Sequence, residues 1–335
     1  MTDSSEITLQ PNTELVERFE RDLAPLARPG TRLGLAVSGG ADSVAMLFLC
    51  AAARPGEIEV ASVDHAIRAD ARKEAEAVGE LCAKLGVPHS ILTVEWDEKP
   101  ETGIQERARM ARYRLLGDWA RDRSIGALVV AHHVDDQAET FVMRLARGVG
   151  VKGLSAMRRL TLPPGGKIAL IRPLLNWRRS ELEQICKDCG VSPSADPSND
   201  DEQFERVRIR KALGASDWLD PAAIAKSATN LARADSALHW AATQEWRRAV
   251  TNGGGALVYT PGNAPIEIRR RIASRAVMRL ASEGRGTEPR GREMDQLVAA
   301  LVSGRKATLR GVLCSGGKQW RFSRAPARRA KAEAN

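Results

Sequence analysis

The chain has 335 residues, 43% hydrophobic and 28% charged, with a formal net charge of +9 at neutral pH. That length predicts two domains and a sizeable core. With no apolar run of about 18 residues and no secretory leader, the sequence excludes a membrane role and predicts a cytoplasmic protein. Five scattered cysteines, Cys50, Cys82, Cys186, Cys189 and Cys314, argue for a reducing compartment rather than a disulfide framework. Charge is unevenly spread: residues 216–335 hold 21 Lys and Arg against 10 Asp and Glu, and the rest of the chain is close to neutral. A neutral region joined to a basic one predicts chemistry on one side and a polyanion held on the other. The predominance of Arg there suits bidentate phosphate contacts.

In chain order, residues 1–30 read as a helical lead-in. Leu33-Gly34-Leu35-Ala36-Val37 is an apolar strand that breaks at Ser38 into Gly39-Gly40-Ala41-Asp42-Ser43, with a helix expected at once over 42–53. Further strands are predicted over 58–63, 91–94 and 127–131, with a weaker one at 168–171. Helices are predicted between them over 71–85, 105–121 and 136–145. Asp70 is placed to cap the helix at 71 and Gly86 to end it. This alternation predicts an α/β fold, a doubly wound, mostly parallel sheet whose ligands bind beyond the carboxyl ends of the strands. Ser180-Glu181-Leu182-Glu183 reads as a capping box, with Gly190 closing its helix. A polar, proline-bearing loop runs to residue 203, and Arg206-Val207-Arg208-Ile209-Arg210 leads to a boundary near 214–220. A long helix is expected over 221–250, then helices around 266–282 and 293–303, β-like segments at 307–313 and 320–323, and a basic tail from 325. The division is a lead-in over 1–30, a sheet domain over 31–215 and a second, mainly helical, basic domain over 216–335.

The chemistry collects at three strand exits. In the first, two glycines let the backbone turn sharply and present successive N–H groups. Ser38 and Ser43 add hydroxyls and the following helix adds positive potential, which together make a cradle for phosphate or pyrophosphate. The spacing of the ordinary P-loop is absent. After the second strand comes Val63-Asp64-His65-Ala66-Ile67-Arg68, and after the fourth Ala131-His132-His133-Val134-Asp135-Asp136-Gln137-Ala138-Glu139-Thr140. Both open on the same sheet edge as the glycine loop. Asp136 and Glu139 lie a turn apart and share a helix face, while Val142 and Leu145 are expected to serve the core. Two carboxylates and an imidazole beside a phosphate loop can hold Mg²⁺, bind an ammonium or move protons. So many polar residues at one strand exit cannot all be buried as core.

The loop over 38–43 resembles the Ser-Gly-Gly-x-Asp-Ser loop of the PP-loop ATP pyrophosphatases, which split ATP into AMP and pyrophosphate to activate a carbonyl oxygen. Val63-Asp64-His65, Gln105-Glu106-Arg107-Ala108-Arg109-Met110-Ala111-Arg112-Tyr113 and the 132–140 segment extend the resemblance. So do Arg172-Pro173-Leu174-Leu175 and Asp196-Pro197-Ser198-Asn199. Over about 31 to 210 the chain resembles the tRNA(Ile)-lysidine synthetase family. The basic region, with Ala307-Thr308-Leu309-Arg310 and Trp320-Arg321-Phe322-Ser323, is similar to that family's tRNA-binding extension.

The resemblance implies a ligase acting in two steps. ATP adenylates the C2 oxygen of the wobble cytidine in a CAU-anticodon tRNA(Ile), and pyrophosphate leaves. The ε-amine of free L-lysine then displaces AMP to give lysidine, which changes the codon read from AUG to AUA. ATP and Mg²⁺ are the expected cofactors, no carboxylate is assigned to the metal, and a homodimer is left open. On this resemblance Ser38, Gly39, Gly40, Ala41, Asp42 and Ser43 hold the pyrophosphate, and Val37, Val63 and Asp64 meet the nucleoside. His132, Asp136 and Arg112 are the catalytic candidates, with His132 near the reacting cytosine. Asp136 and Glu139 hold the ammonium groups of lysine. Arg112 and Arg109 neutralise α-phosphate charge or grip the tRNA backbone, and Arg206, Arg208 and Arg210 are further tRNA contacts.

One position departs from the pattern: Val207 stands where the family often has Asn. Three motifs are set aside. Gly148-Val149-Gly150-Val151-Lys152-Gly153 follows a helix rather than a strand, Cys186-Lys187-Asp188-Cys189 lacks partner cysteines, and Ser315-Gly316-Gly317-Lys318 lacks the Asp-Ser and the helix. The rival readings are an anticodon-loop tRNA thiolase, which the scarcity of cysteines near the sheet opposes, an ATP-sensing module, and a small-molecule amide ligase. For Trp240, Trp246 and Trp320, core packing is expected.

Overall fold

In the computed structural model, residues 9–66, 70–96, 103–163, 166, 168–194, 201–281, 289 and 291–326 are described. Ile67 and Arg68, the Asp196-Pro197-Ser198-Asn199 segment, the tail from 327 and the side chains of Asp70 and Gln105 lie outside that description. From the N-terminus come α1 (Thr13–Leu23), β1 (Leu33–Ala36), α2 (Ala41–Ala53), β2 (Ile58–Asp64), α3 (Asp70–Lys84), β3 (His89–Thr93), α4 (Ile104–Asp122), β4 (Ala127–Val129) and α5 (Val134–Ala146). A single turn, α6 (Val151–Leu154), precedes the short β5 (Leu160–Thr161), β6 (Ala169–Ile171), α7 (Arg179–Asp188) and α8 (Glu205–Gly214). The long α9 (Pro221–Ala249) leads to β7 (Val250–Gly253), β8 (Ala256–Tyr259), α10 (Ile266–Leu280), α11 (Gly291–Val302), β9 (Lys306–Leu309), β10 (Val312–Ser315) and β11 (Trp320–Arg324).

Two compact units result, Met1–Arg147 with Ala156–Thr229, and Gly148–Ser155 with Asn230–Asn335. The first is built on a six-stranded sheet ordered β3-β2-β1-β4-β6-β5, parallel throughout except for β5 at its edge. Because the chain winds one way from β1 to β3 and the other way through β4, the order reverses between β1 and β4. A crevice opens there at the carboxyl ends.

Alternation along β1 explains how both faces are covered. Leu33 and Leu35 are fully buried against the side of α1, α2 and α7, and each contributes about 2 kcal/mol by leaving water. Gly34 faces α4: a Cβ there would meet the Trp119 ring at 2.7 Å and Ile125 at 2.9 Å. Only glycine lets the Tyr113–Leu116–Trp119 face of α4 close on the strand. The lead-in helix α1 belongs to this unit. Phe19 meets Trp177 edge-on at 6.5 Å, Arg18 lies 4.0 Å over the Trp177 ring, and the indole donates to Asp22 at 3.1 Å. Cys186 and Cys189 are both buried in this core, with burial pushing their thiols up to about 12 and about 11.

The capping box of α7 falls two residues earlier than the sequence pattern suggests. Glu181 accepts from the Arg178 backbone N–H at 2.7 Å, so Arg178 and not Ser180 is the N-cap. Leu145 is another correction, since it is 55% exposed rather than part of the core.

The second unit packs α10 and α11 on a five-stranded antiparallel sheet ordered β7-β8-β11-β10-β9, around Trp246, Tyr259, Trp320 and Phe322. The sheet is larger than the two β-like segments foreseen. Gly254 and Gly255, both at positive φ, close β7 onto β8, the geometry of a two-residue primed turn. Trp246 and Trp320 are core residues as expected, but Trp240 is 66% exposed.

Candidate active site between beta1 and beta4

The glycine loop holds its own shape. Gly39 sits at φ +90°, open only to glycine at low cost. The buried Ser43 hydroxyl accepts from the Ser38 N–H at 3.1 Å and donates to the Gly40 carbonyl at 2.9 Å. Helix α2 starts at Ala41 without a side-chain cap, so its first N–H groups remain to meet a ligand. They open on a cavity of about 550 Å³ whose walls include Val37, Ser38, Gly40, Ala41, Asp42, Val63 and Arg112. Gly39 and Ser43 shape the loop from behind. Asp64 also stays out of the cavity wall: it is buried and its carboxylate accepts from the Ala66 N–H at 2.8 Å. Val207 does reach the wall, so the family's usual Asn is replaced by an apolar surface facing the cavity.

Opposite the loop, β4 delivers two histidines into contrasting surroundings. His133 is fully buried. Its Nε2 lies 3.3 Å from Asp42 and 3.5 Å from Asp136, and its Nδ1 lies 3.3 Å from Asp135. Burial opposes a charge on this ring, but Asp135, Asp42 and Asp136 together outweigh it and raise its pKa to about 10. Asp135 is held down to about 2, against its own burial, by His133 and by the Arg179 backbone N–H at 2.9 Å. Asp136 accepts from the His133 backbone N–H at 3.1 Å, capping α5.

The carboxylates continue onto α8. Glu139, with a side chain 2% exposed, receives Arg206 Nε on one oxygen and Arg210 Nε on the other, both at 2.7 Å. Arg206 also reaches Asp136 at 3.3 Å. Arg208 is exposed and donates to the Glu202 carbonyl at 3.2 Å. Two of the four arginines read as tRNA contacts, Arg206 and Arg210, are therefore ion-paired to the two carboxylates read as the lysine site. A second cavity, about 410 Å³, is lined by Asp135, Glu139, Arg179 and Arg210, and shares Arg179 and Arg210 with the first.

His132 stands on the other side, half-buried among cations. Arg172 Nε donates to its Nδ1 at 3.3 Å. Burial lowers the pKa of His132, Asp136 pulls it back, and the charges of Arg172, Arg112 and Arg206 push it down to about 3. Arg109 is exposed and lies 5.0 Å over the Tyr113 ring. Arg112 has no carboxylate partner among the described residues and lines the first cavity, where burial and Arg109 disfavour its charge. His133, Asp135 and Arg172, quoted only within motifs and given no role, complete the site together with Arg179, which no motif contained. The i,i+4 spacing of Arg206 and Arg210, matched to the acidic face of α5, is the signal that foreshadows their pairing.

Comparison with known proteins identifies the family. The sequence profile of the PP-loop domain family matches residues 11–216. A tRNA(Ile)-lysidine synthase of Novosphingobium aromaticivorans is 43% identical over 314 residues, covering 93% of this chain and 94% of that protein. One from Zymomonas mobilis is 40% identical over 300 residues, covering 89% and 90%. Among solved structures, a U34-tRNA thiolase from Methanococcus maripaludis is similar in fold, with a TM-score of 0.54 at 16% identity, over 65% of this chain and 77% of that one.

Proposed function

The chain belongs to the tRNA(Ile)-lysidine synthase family, and from that premise we propose how its residues divide the reaction. It is an ATP-using enzyme that modifies tRNA(Ile). The observation that carries the division is a pair of cavities that share Arg179 and Arg210: the first holds the phosphate cradle and Arg112, which has no carboxylate partner among the described residues, and the second is lined by Asp135 and Glu139.

In the first step the C2 oxygen of the wobble cytidine attacks the α-phosphorus of ATP, and the bond to pyrophosphate breaks. The N–H groups around Gly40 and Ala41 hold the leaving pyrophosphate. Arg112, which has no carboxylate partner among the described residues, meets the charge that develops on the α-phosphate. Val37 and Val63 pack against the nucleoside, and Asp64 supports that wall by fixing the turn after β2. A magnesium ion fits here in the usual way, one carboxylate plus phosphate oxygens. Asp42 Oδ1 is buried and has no hydrogen-bond partner among the described residues, so Asp42 is the side chain that would hold the ion, which would neutralise phosphate charge when bound.

In the second step the ε-amine of L-lysine attacks C2 and AMP leaves. Asp136 is held more loosely, by Arg206 at 3.3 Å on Oδ1 and the His133 backbone N–H at 3.1 Å on Oδ2, and keeps acceptor capacity for an ammonium, whereas both oxygens of Glu139 are taken by arginines at 2.7 Å. Asp136 is therefore the principal holder of the ammonium, and Glu139 orders Arg206 and Arg210 around it. Exposed Arg305, Lys306, Arg321 and Arg324 in the basic unit, with Arg109 and Arg208, serve the tRNA backbone. The enzyme works in the cytoplasm, where its tRNA is.

Pyrophosphate release from ATP with lysine present, measured with and without unmodified CAU-anticodon tRNA, tests this reading. The expected result is release that requires the tRNA, with labelled lysine appearing in the RNA. Release without lysine incorporation contradicts it.

A further inference from the structure

Arg172 leaves the end of β6 and is only 5% exposed. Besides its bond to His132 Nδ1, it donates through Nη1 to the Arg158 carbonyl at 2.8 Å and to Thr161 Oγ1 at 3.0 Å. Its own backbone N–H donates to the Arg159 carbonyl at 2.8 Å, next to the β5–β6 pairing. The guanidinium is thus anchored on one side by a strand pair and turned toward His132 on the other. Pro173 ends the strand just after it, and Leu174 and Leu175 are buried, which ties the whole Arg172-Pro173-Leu174-Leu175 segment into place.

A guanidinium carries only donors and keeps its proton throughout the pH range in which proteins fold. The bond to His132 therefore has one sense. Arg172 donates, and Nδ1 accepts through its lone pair. A ring nitrogen that accepts carries no hydrogen, so the single proton of the neutral ring lies on Nε2.

We propose that Arg172 is a positioning residue that fixes His132 as the neutral Nε2–H tautomer, so that His132 serves the reaction as a hydrogen-bond donor and not as a proton acceptor. This rests on the reading that places His132 beside the cytidine. With Nδ1 engaged and Nε2 protonated, no lone pair of the ring is free to take the proton that the lysine amine must lose. The charged groups facing the ring are Arg112 from α4, Asp136 from α5, Arg172 after β6 and Arg206 from α8. Burial opposes a second proton on the imidazole, and three cations against one carboxylate act in the same direction.

The test is long-range ¹H–¹⁵N NMR of the full-length protein labelled at its 5 histidines, from about pH 5 to 9, with His132 assigned by its loss in His132→Gln. In the wild type His132 shows the neutral Nε2–H pattern throughout and does not titrate. In Arg172→Met its midpoint rises toward the ordinary value of about 6.5, and Arg172→Lys, which restores a donating cation, brings it back down. A wild-type His132 protonated on Nδ1, or titrating near about 6.5, overturns the proposal. That spectrum decides the tautomer even where Arg172→Met does not fold.

A second arm reads function through tRNA adenylation. His132→Gln keeps an N–H near the Nε2 position and retains activity within about tenfold, whereas His132→Asn reaches only the Nδ1 position and loses about a hundredfold. Equal losses overturn the donor role. Adenylation indifferent to both substitutions, with the spectra as expected, overturns the placement of His132 beside the cytidine and leaves the tautomer assignment standing.

Discussion

Two sides of the β4–α5 junction, one residue apart in sequence, hold the same side chain in opposite states. His133 is a cation enclosed by Asp42, Asp135 and Asp136, and His132 is a neutral ring facing Arg172 and Arg112. The difference shows that the charge of an imidazole here depends on what other strands and helices bring to it, Arg172 and Arg112 to His132 and Asp42 to His133, as well as on Asp135 and Asp136 of its own segment. It also sorts the chemistry. The arginine side suits an anionic phosphoryl group, and the carboxylate side suits a cationic amino acid.

Replacing His133 by leucine is the harshest way to break this contrast. It leaves Asp42, Asp135 and Asp136 facing one another without their shared cation, and urea unfolding should show a loss of about 3–5 kcal/mol. A loss below about 1 kcal/mol would mean that the carboxylates do not need the ring. On the arginine side, Arg112→Ala should lower the rate of tRNA-dependent pyrophosphate release by about 10²–10³-fold while the KM for lysine stays unchanged. A matching rise in that KM would blur the two sides into one. Asp136→Asn retains an oxygen to cap α5 but loses its charge. The KM for lysine should rise about 10–100-fold, the worth of one charge-assisted hydrogen bond, and adenylation should be spared. The mildest change is Leu145→Ser on the exposed face of α5, which should alter stability by no more than about 0.5 kcal/mol, whereas a buried leucine would cost several times more.

Much of the first unit was legible because its signals are local. The apolar strands, the glycine turn and the short βα alternation each fall within a few residues, and the sheet order follows from crossover rules. The hairpin at Gly254 and Gly255 was equally local, yet its weak flanking strands hid it. What could not be read depended on distant partners. Arg206 and Arg210 meet Glu139 across 67 and 71 residues, and in sequence they show only charge, which reads as a tRNA contact. The opposite states of His132 and His133 depend in part on Arg172 and Asp42, residues on other strands' exits. Leu145 obeyed the helical period but lies past the stretch of α5 that the sheet covers, so periodicity placed it inside while tertiary structure left it out.

The division of the reaction is tested most directly by a two-stage single-turnover experiment with labelled ATP and unmodified CAU-anticodon tRNA. Lysine is withheld at first and then added at low concentration. Wild type and Asp136→Asn should both accumulate adenylated tRNA in the first stage, and only the wild type should convert it to lysidine when lysine arrives. An Asp136→Asn enzyme that fails to accumulate the adenylate would contradict the account, because the carboxylate side would then serve the phosphoryl step as well.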